Sequence, residues 1–153
     1  MDKLLQRTRY LKPLAGRDKP VYRSLQPRKT IREIDDKPLS LLVLSDLLWA
    51  ACGVNRRKGP FGIPGRTAAT ASNSQEIDIC VVMRAGTWLY DPVPHKLIPV
   101  AAGDLRRLAI GEGQENAGDN APVRLLYVAD INKLIHTSGY QEPGLQDPEI
   151  QKS

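Results

Sequence analysis

A short run of cations, Arg28–Arg32, is the first candidate for chemistry in this sequence. The run reads Arg-Lys-Thr-Ile-Arg and places three cations and a hydroxyl within five residues. Guanidinium groups pair with phosphate oxygens through two parallel hydrogen bonds, so such a run can surround a phosphate. If it forms a helical turn, Ile31 and Ile34 share one face and attach it to a core. We call residues 28–32 the cation segment. It predicts phosphate binding, with a solvated basic surface as the alternative.

Residues 66–76 form a second candidate, composed almost entirely of small and hydrogen-bonding residues. Small side chains let a backbone approach a flat ligand closely, so that its N–H and C=O groups contact the ligand edge. Asn73 and Gln75 could add side-chain contacts. An ordinary loop leading into a strand is the alternative for this segment.

Side chains that would catalyse a reaction by themselves do not form any recognisable motif. The sequence contains no nucleophile elbow, P-loop, HExxH or CxxC, and residues 111–118 are glycine-rich without the spacing of a dinucleotide fingerprint. Cys52 and Cys80 predict two buried, reduced thiols and no metal site. His95 is expected to be a surface residue. An enzyme with this sequence would therefore rely on a cofactor for its chemistry.

One helix is predicted after the cation segment, beyond a polar break at residues 35–38. Ser40 is a favourable N-cap, and Leu41, Leu44 and Leu48 follow at helical spacing. Leu47 and Trp49 would widen the apolar stripe, Ala51 would extend it, and Gly53 would end the helix. The prediction is a core helix between Ser40 and Gly53.

The rest of the chain predicts a sheet with short connections. Strands are predicted at 77–83, 87–91, 96–100 and 123–130, the first two as a hairpin and the last as a central strand because it is apolar almost throughout. Residues 54–65 are predicted as a loop. Asp104 would cap a short helix over 105–109, and residues 131–137 would begin another, with Ile131, Leu134 and Ile135 facing inward.

Length and composition limit the class of protein. The chain has 153 residues, 41% hydrophobic and 25% charged, which suits a single domain over 1–153 with residues 1–23 as an N-terminal arm. A net charge of +5 favours an anionic partner, while only 5% aromatic residues disfavours a nucleic-acid binder. The N-terminus lacks a signal-peptide pattern, and residues 39–52 are too short to span a bilayer, so no membrane association and a cytoplasmic location are expected.

Five motifs, in order, resemble the FMN-dependent nitroreductase family over about residues 24–130. Ala69 and Thr70 stand where the family usually has Pro and Ser. The matching segments are the cation segment (Arg-Arg-Ser-x-Arg in the family), Leu47–Arg56 (LLWAA-x-G-x-NR), Arg66–Gln75 (R-T-x-P-S-A-x-N-x-Q), Trp88–Leu97 with its Tyr-Asp-Pro and His95, and Gln114 followed by Ala121–Val123.

The resemblance implies an α+β fold with a mainly antiparallel central sheet flanked by helices, and a homodimer. It implies FMN as the cofactor, with the reaction carried by flavin N5 and no catalytic side chain. The phosphate and ribityl chain would be bound by Arg28, Lys29, Thr30 and Arg32. The isoalloxazine would be lined by Ala69, Thr70, Ala71 and Asn73.

The implied function is electron transfer from a reduced nicotinamide or organic donor, through the flavin, to a nitroaromatic, quinone or similar acceptor. The family domain normally continues with a Gly-Leu-Gly-like segment and further basic phosphate contacts. These are expected to be missing here, as in a fragment or a degenerate member. A non-catalytic module that binds FMN or another phosphorylated ligand is therefore the main alternative, and a basic nucleic-acid binder is the weakest.

Overall fold

The structure is a computed structural model that describes residues 7–12, 20–111 and 120–135. The described residues form three helices and seven strands. In order they are β1 (Arg9–Tyr10), α1 (Val21–Leu25), α2 (Leu41–Cys52), β2 (Val54–Arg56), β3 (Gly65–Arg66), β4 (Ile77–Met83), β5 (Gly86–Asp91), β6 (Lys96–Ala102), β7 (Val123–Ala129) and α3 (Ile131–Ile135). Single turns of 3-10 helix lie at Pro60–Gly62, Ala71–Asn73 and Arg106–Ala109.

The main sheet has the strand order β1-β6-β5-β4-β7, and every neighbouring pair is antiparallel. The predicted hairpin is confirmed, since β4 pairs with β5 across a tight turn from Met83 to Gly86. Gly86 is required there because a Cβ would lie 2.6 Å from the carbonyl oxygen of Ala101 on β6. The predicted α+β fold with an antiparallel central sheet is thus confirmed.

Helix α2 covers one face of this sheet. The Ser40 hydroxyl accepts a hydrogen bond from the Val43 N–H at 3.2 Å, and Gly53 ends the helix, as predicted. Leu44 and Leu48 are buried against the sheet. The sheet side of this core consists of Ile79, Val81, Trp88, Tyr90 and Leu97. We call α2 together with β4, β5 and β6 the helix–sheet module.

The buried stripe of α2 is narrower than predicted. Leu41, Leu47 and Trp49 are 39–43% exposed, whereas Leu44 and Leu48 are at most 2% exposed. Half of the predicted apolar stripe therefore lies at the surface of the described chain.

The N-terminal arm is partly extended, as predicted, and it packs on its own chain. Arg9 pairs with Leu97 and Tyr10 with Lys96, which adds β1 to the edge of β6. Leu11 is 6% exposed and joins the core. The Arg9 guanidinium lies 5.4 Å from the centre of the Trp88 ring, a cation–π contact.

The prediction of a central strand at 123–130 is wrong within the described chain. Strand β7 pairs with β4 alone and forms an edge of the sheet. Tyr127 is 60% and Val128 48% exposed, so the apolar residues of β7 are not buried on both faces of the sheet. Ile131 on α3 is 49% exposed, not inward as predicted. The side chain of Ile135 and residues 136–137 lie outside the described part.

The predicted loop over 54–65 contains a small ribbon. Strands β2 and β3 pair antiparallel, with an irregular register between Val54 and Arg56. The glycines and prolines between the strands concealed this pairing in the sequence. No helix among the described residues is long and apolar enough to cross a membrane. Asp104 accepts a hydrogen bond from the Arg106 N–H, but the element that follows is a single 3-10 turn.

Candidate functional site

The cation segment lies in a fully exposed stretch without regular secondary structure. The predicted helical turn is wrong: α1 ends at Leu25 and its C-cap, Gln26, directly precedes Pro27. Gln26 keeps helical backbone angles, but Pro27 has no N–H to donate, so the helical hydrogen bonding stops there. Ile31 is 64% and Ile34 46% exposed, so neither attaches the segment to a core.

The polar side chains of the cation segment point to solvent. Within the described chain, its backbone forms one hydrogen bond, from the Arg28 N–H to the Leu25 carbonyl at 3.0 Å. Among the described residues, Arg28, Lys29 and Arg32 form no ion pair and Thr30 forms no side-chain hydrogen bond. The segment therefore presents three unneutralised cations and a hydroxyl to an incoming anion.

The second candidate segment forms a tight, shaped turn. Ala69 and Ala71 are exposed, and Thr70 and Asn73 are half-buried. The 3-10 turn Ala71–Asn73 has Ser72 at φ 51° and Asn73 at φ 54°. Left-handed backbone at consecutive non-glycine residues is uncommon and costs energy, so it persists only where surrounding contacts impose it.

Gln75 imposes this shape from beneath the turn. Its side-chain Nε2 donates to the Pro64 carbonyl at 2.6 Å and to the Asn73 Oδ1 at 2.9 Å. Its backbone N–H donates to the Thr70 Oγ1 at 3.0 Å. Gln75 is only 9% exposed and adopts φ 52° itself. It is therefore an internal brace of the turn, whereas the sequence suggested a ligand contact.

The base of the turn is attached to the C-terminal end of α2. The Thr67 N–H donates to the Gly53 carbonyl at 2.8 Å, and the Thr67 hydroxyl donates to the Trp49 carbonyl at 3.1 Å. Arg66 reaches the Cys52 sulfur at 3.3 Å. The end carbonyls of α2 thus find partners in this segment, which fixes the turn relative to the helix–sheet module.

The eight predicted flavin contacts therefore fall into two groups, one held by hydrogen bonds in the braced turn and one in the exposed cation segment. Ala69, Thr70, Ala71 and Asn73 share one braced turn. Within the described ranges, no hydrogen bond or ion pair joins that turn to the cation segment. The cation segment depends on its own backbone for its position.

A hydrogen-bonded group centred on His95 was not predicted. The Ser45 Oγ lies 2.9 Å from His95 Nε2, and the Tyr90 Oη lies 2.8 Å from His95 Nδ1. His95 adopts φ 49° at the end of the β5–β6 turn, so it connects α2 to the sheet rather than lying free at the surface. The short spacing of Tyr90 and His95 was the available signal, but Ser45 is 50 positions away.

Burial decides the charge of this group. Burial lowers the pKa of His95, and the Asp46 carboxylate opposes that shift only in part. Burial also raises the pKa of Tyr90 far above its usual range, with a smaller contribution from Cys52. At neutral pH the ring is therefore neutral, with one nitrogen donating and the other accepting.

Comparison with known proteins identifies the family of this chain. Residues 25–146 match the model of the nitroreductase family. The chain belongs to the nitroreductase family. A comparison with curated proteins finds no match. Within this family, a predicted nitroreductase from Ralstonia eutropha JMP134, known from a crystal structure at 2.00 Å resolution, is 36% identical and superposes with a TM-score of 0.69.

The extent of that similarity limits what it shows. The match covers 85% of this chain but 59% of the Ralstonia protein. The shared family and fold are those of nitroreductases, and the activity of this chain is a matter of proposal. Its cofactor, electron donor, acceptor and assembly are matters of proposal.

Proposed function

We propose that this protein is an FMN-dependent oxidoreductase of nitroreductase type. It would take electrons from a reduced nicotinamide or organic donor and pass them to a nitroaromatic, quinone or similar acceptor. The observation that carries the proposal is the family match over residues 25–146, which includes both candidate segments. When bound, FMN supplies two-electron transfer at its N5 position.

The residues present suit a flavin phosphate. Arg28, Lys29 and Arg32 are exposed and lack carboxylate partners in the described chain, so no existing ion pair must break when a phosphate binds. Arginine forks match phosphate oxygens in pairs, and the Thr30 hydroxyl can donate one further hydrogen bond. A bound phosphate would thereby give the cation segment contacts that the described chain does not supply.

The braced turn suits a flat ring. Ala69 and Ala71 carry only methyl groups and are exposed, so a ring can approach their backbone. The Thr70 Oγ1 accepts a hydrogen bond from the Gln75 backbone N–H, and the Asn73 Oδ1 accepts one from the Gln75 side-chain amide. Both side chains are therefore held in place before a ligand binds. A surface fixed in advance loses less conformational entropy when it binds. Ala69, Thr70, Ala71 and Asn73 would position the isoalloxazine.

The proposal includes a homodimer and a cytoplasmic setting. Exposed apolar side chains on α2 support an assembly, because Leu41, Leu42 and Leu47 are each 42–44% exposed. Burial of such side chains against another subunit would remove apolar surface from water. A second copy of the chain is the proposed occupant.

Turnover tests the proposed function directly. The purified full chain would be reconstituted with FMN and mixed anaerobically with NADH or NADPH. We expect bleaching of the flavin absorbance, followed by its return when a quinone or nitroaromatic is added. A protein that binds FMN but is not reduced by either nicotinamide or by an organic donor would instead be a binding module. A protein that binds no FMN would refute the proposal.

A further inference from the structure

A cleft of about 640 Å³ lies between the C-terminal end of α2, strand β2 and the β5–β6 turn. This volume is within the range of ordinary small-molecule sites, which span roughly 300–1,000 Å³. Residues from widely separated parts of the chain line it, including Trp49, Arg56 and His95. None of the eight predicted flavin contacts is among its lining residues.

The charge of the cleft is positive. Arg56 and Arg57 line it, both are exposed, and no carboxylate lines it with them. Neither arginine forms an ion pair within the described chain. Each guanidinium can pair with an oxyanion through two charge-assisted hydrogen bonds, and both residues line the same cleft.

Gly65 keeps one of these groups in place. A Cβ at Gly65 would lie 2.5 Å from Arg56 Nε and 2.6 Å from Nη2, so the guanidinium rests directly on the bare glycine backbone. Gly65 pairs with Arg56 across the β2–β3 ribbon, which fixes this contact. The ribbon therefore places the Arg56 side chain against Gly65, at the edge of the cleft.

The walls of the cleft are apolar. Trp49, Val54, Pro92 and Val93 line it, and Val93 is 63% exposed. The Trp49 indole N–H donates to the Val54 carbonyl at 3.3 Å, which sets the orientation of the ring. Covering these groups would stabilise a complex by about 25 cal/mol for each Å² of apolar surface removed from water.

His95 contributes shape rather than charge to the cleft. Its ring nitrogens lie within hydrogen-bond distance of Ser45 and Tyr90, and the ring is neutral near pH 7. A ligand anion therefore finds its positive partners at Arg56 and Arg57 alone. Its remaining atoms meet an uncharged wall.

From these features we propose that the cleft binds a small carboxylic acid with an apolar chain. The carboxylate pairs with Arg56 and Arg57, and the chain lies against Trp49, Pro92 and Val93. None of the lining residues is a proposed flavin contact, and the proposal does not rest on the proposed function.

Calorimetric titration of the full chain with hexanoate tests this proposal, with 1-hexanol and acetate as probes that each lack one half of the recognised chemistry. We expect hexanoate to bind at least about tenfold more tightly than either, because a charge-assisted pair and apolar burial act together. Equal affinity for hexanoate and 1-hexanol would overturn the proposal. Displacement of hexanoate by FMN would also overturn it, since the two sites would then overlap.

Charge variants locate the site. Arg57→Gln should weaken hexanoate binding at least about tenfold, because it removes one charge-assisted pair while Arg56 keeps its contact with Gly65. Lys58→Gln is the matched control, since it removes one exposed cation from the same loop without being a lining residue. It should change the affinity less than about twofold. Equal losses in folded Arg57→Gln and Lys58→Gln proteins would show non-specific attraction and refute the site.

Discussion

Leu48 in the helix–sheet module is fully buried, whereas Ile31 in the cation segment is 64% exposed. Both lie in apolar patterns that predicted contact with a core. In the module, a capped helix and paired strands supply the opposing surface that burial requires. In the cation segment, Pro27 ends the preceding helix and the backbone has one hydrogen bond. The difference indicates that the module is fixed by its own packing, while the described chain supplies little packing for the cation segment.

The largest expected effect lies in the core of the module. Leu48→Ala should lower the free energy of unfolding by about 2–5 kcal/mol, because it removes buried methyl groups and leaves a cavity. Urea denaturation measures this loss. Leu42→Ala on the same helix, where the side chain is 44% exposed, is the control. Similar losses in the two variants would contradict the one-sided packing of α2.

Removal of the brace beneath the turn should have the next largest effect. Gln75→Ala should cost about 1–3 kcal/mol of unfolding free energy, since the Pro64 carbonyl and Asn73 Oδ1 lose their donor. The same denaturation experiment applies. Gln26→Ala, at an exposed position, should stay within about 0.5 kcal/mol. An unchanged Gln75→Ala protein would show that the turn holds its shape without the brace.

The N-cap of α2 should contribute less. Ser40→Ala should lower the unfolding free energy by about 1 kcal/mol because the Val43 N–H loses its acceptor. Ser24→Ala, an exposed serine in α1, is the matched control, since it caps no helix. Thermal melting compares the two. Equal losses in the two variants would contradict the capping role of Ser40.

The pH dependence of stability tests the His95 group. Its folded pKa lies below the ordinary value of 6.5, so the unfolded chain binds the proton more readily. Stability is therefore retained above about pH 6.5 and should fall as the pH decreases from there through the folded pKa. His95→Gln should flatten this part of the curve in melts recorded across that range. An unaltered pH profile in His95→Gln would show that the ring titrates as it does in the unfolded chain.

The helix–sheet module was largely predictable from the sequence, because its determinants are local. Ser40, Gly53 and the β-branched run 77–83 specify their own elements. The edge position of β7 was not predictable, since an apolar run looks alike whether it is buried on both faces or exposed at an edge. The Ser45–His95–Tyr90 group was missed because hydrogen bonds across 50 residues leave no pattern in the chain.

The candidate site was predictable in composition but not in geometry. Family motifs pointed to both segments; the structure places Ala69 to Asn73 in one braced turn, and their contact with a flavin stays a prediction. The left-handed backbone of Ser72 and Asn73 was not predictable, because neither residue is the glycine that usually adopts it. The hydrogen bond from Gln75 to Pro64 was not predictable either, because it depends on the fold bringing the two residues together. The helical turn considered for the cation segment does not form, because the effect of Pro27 on the backbone is stronger than the helical signal in the spacing of Ile31 and Ile34.

The most direct test of the central claim is an FMN titration of the wild-type protein and of an Arg28→Gln/Arg32→Gln variant. Quenching of flavin fluorescence reports the binding. We predict saturable FMN binding that weakens at least about tenfold in the variant, with an unchanged melting temperature without FMN. Arg23→Gln/Lys37→Gln, which removes two exposed cations on either side of the segment, should bind FMN nearly as well as wild type. Equal weakening in both variants, or no FMN binding by the wild-type protein, would contradict the assignment of the cation segment to a flavin phosphate.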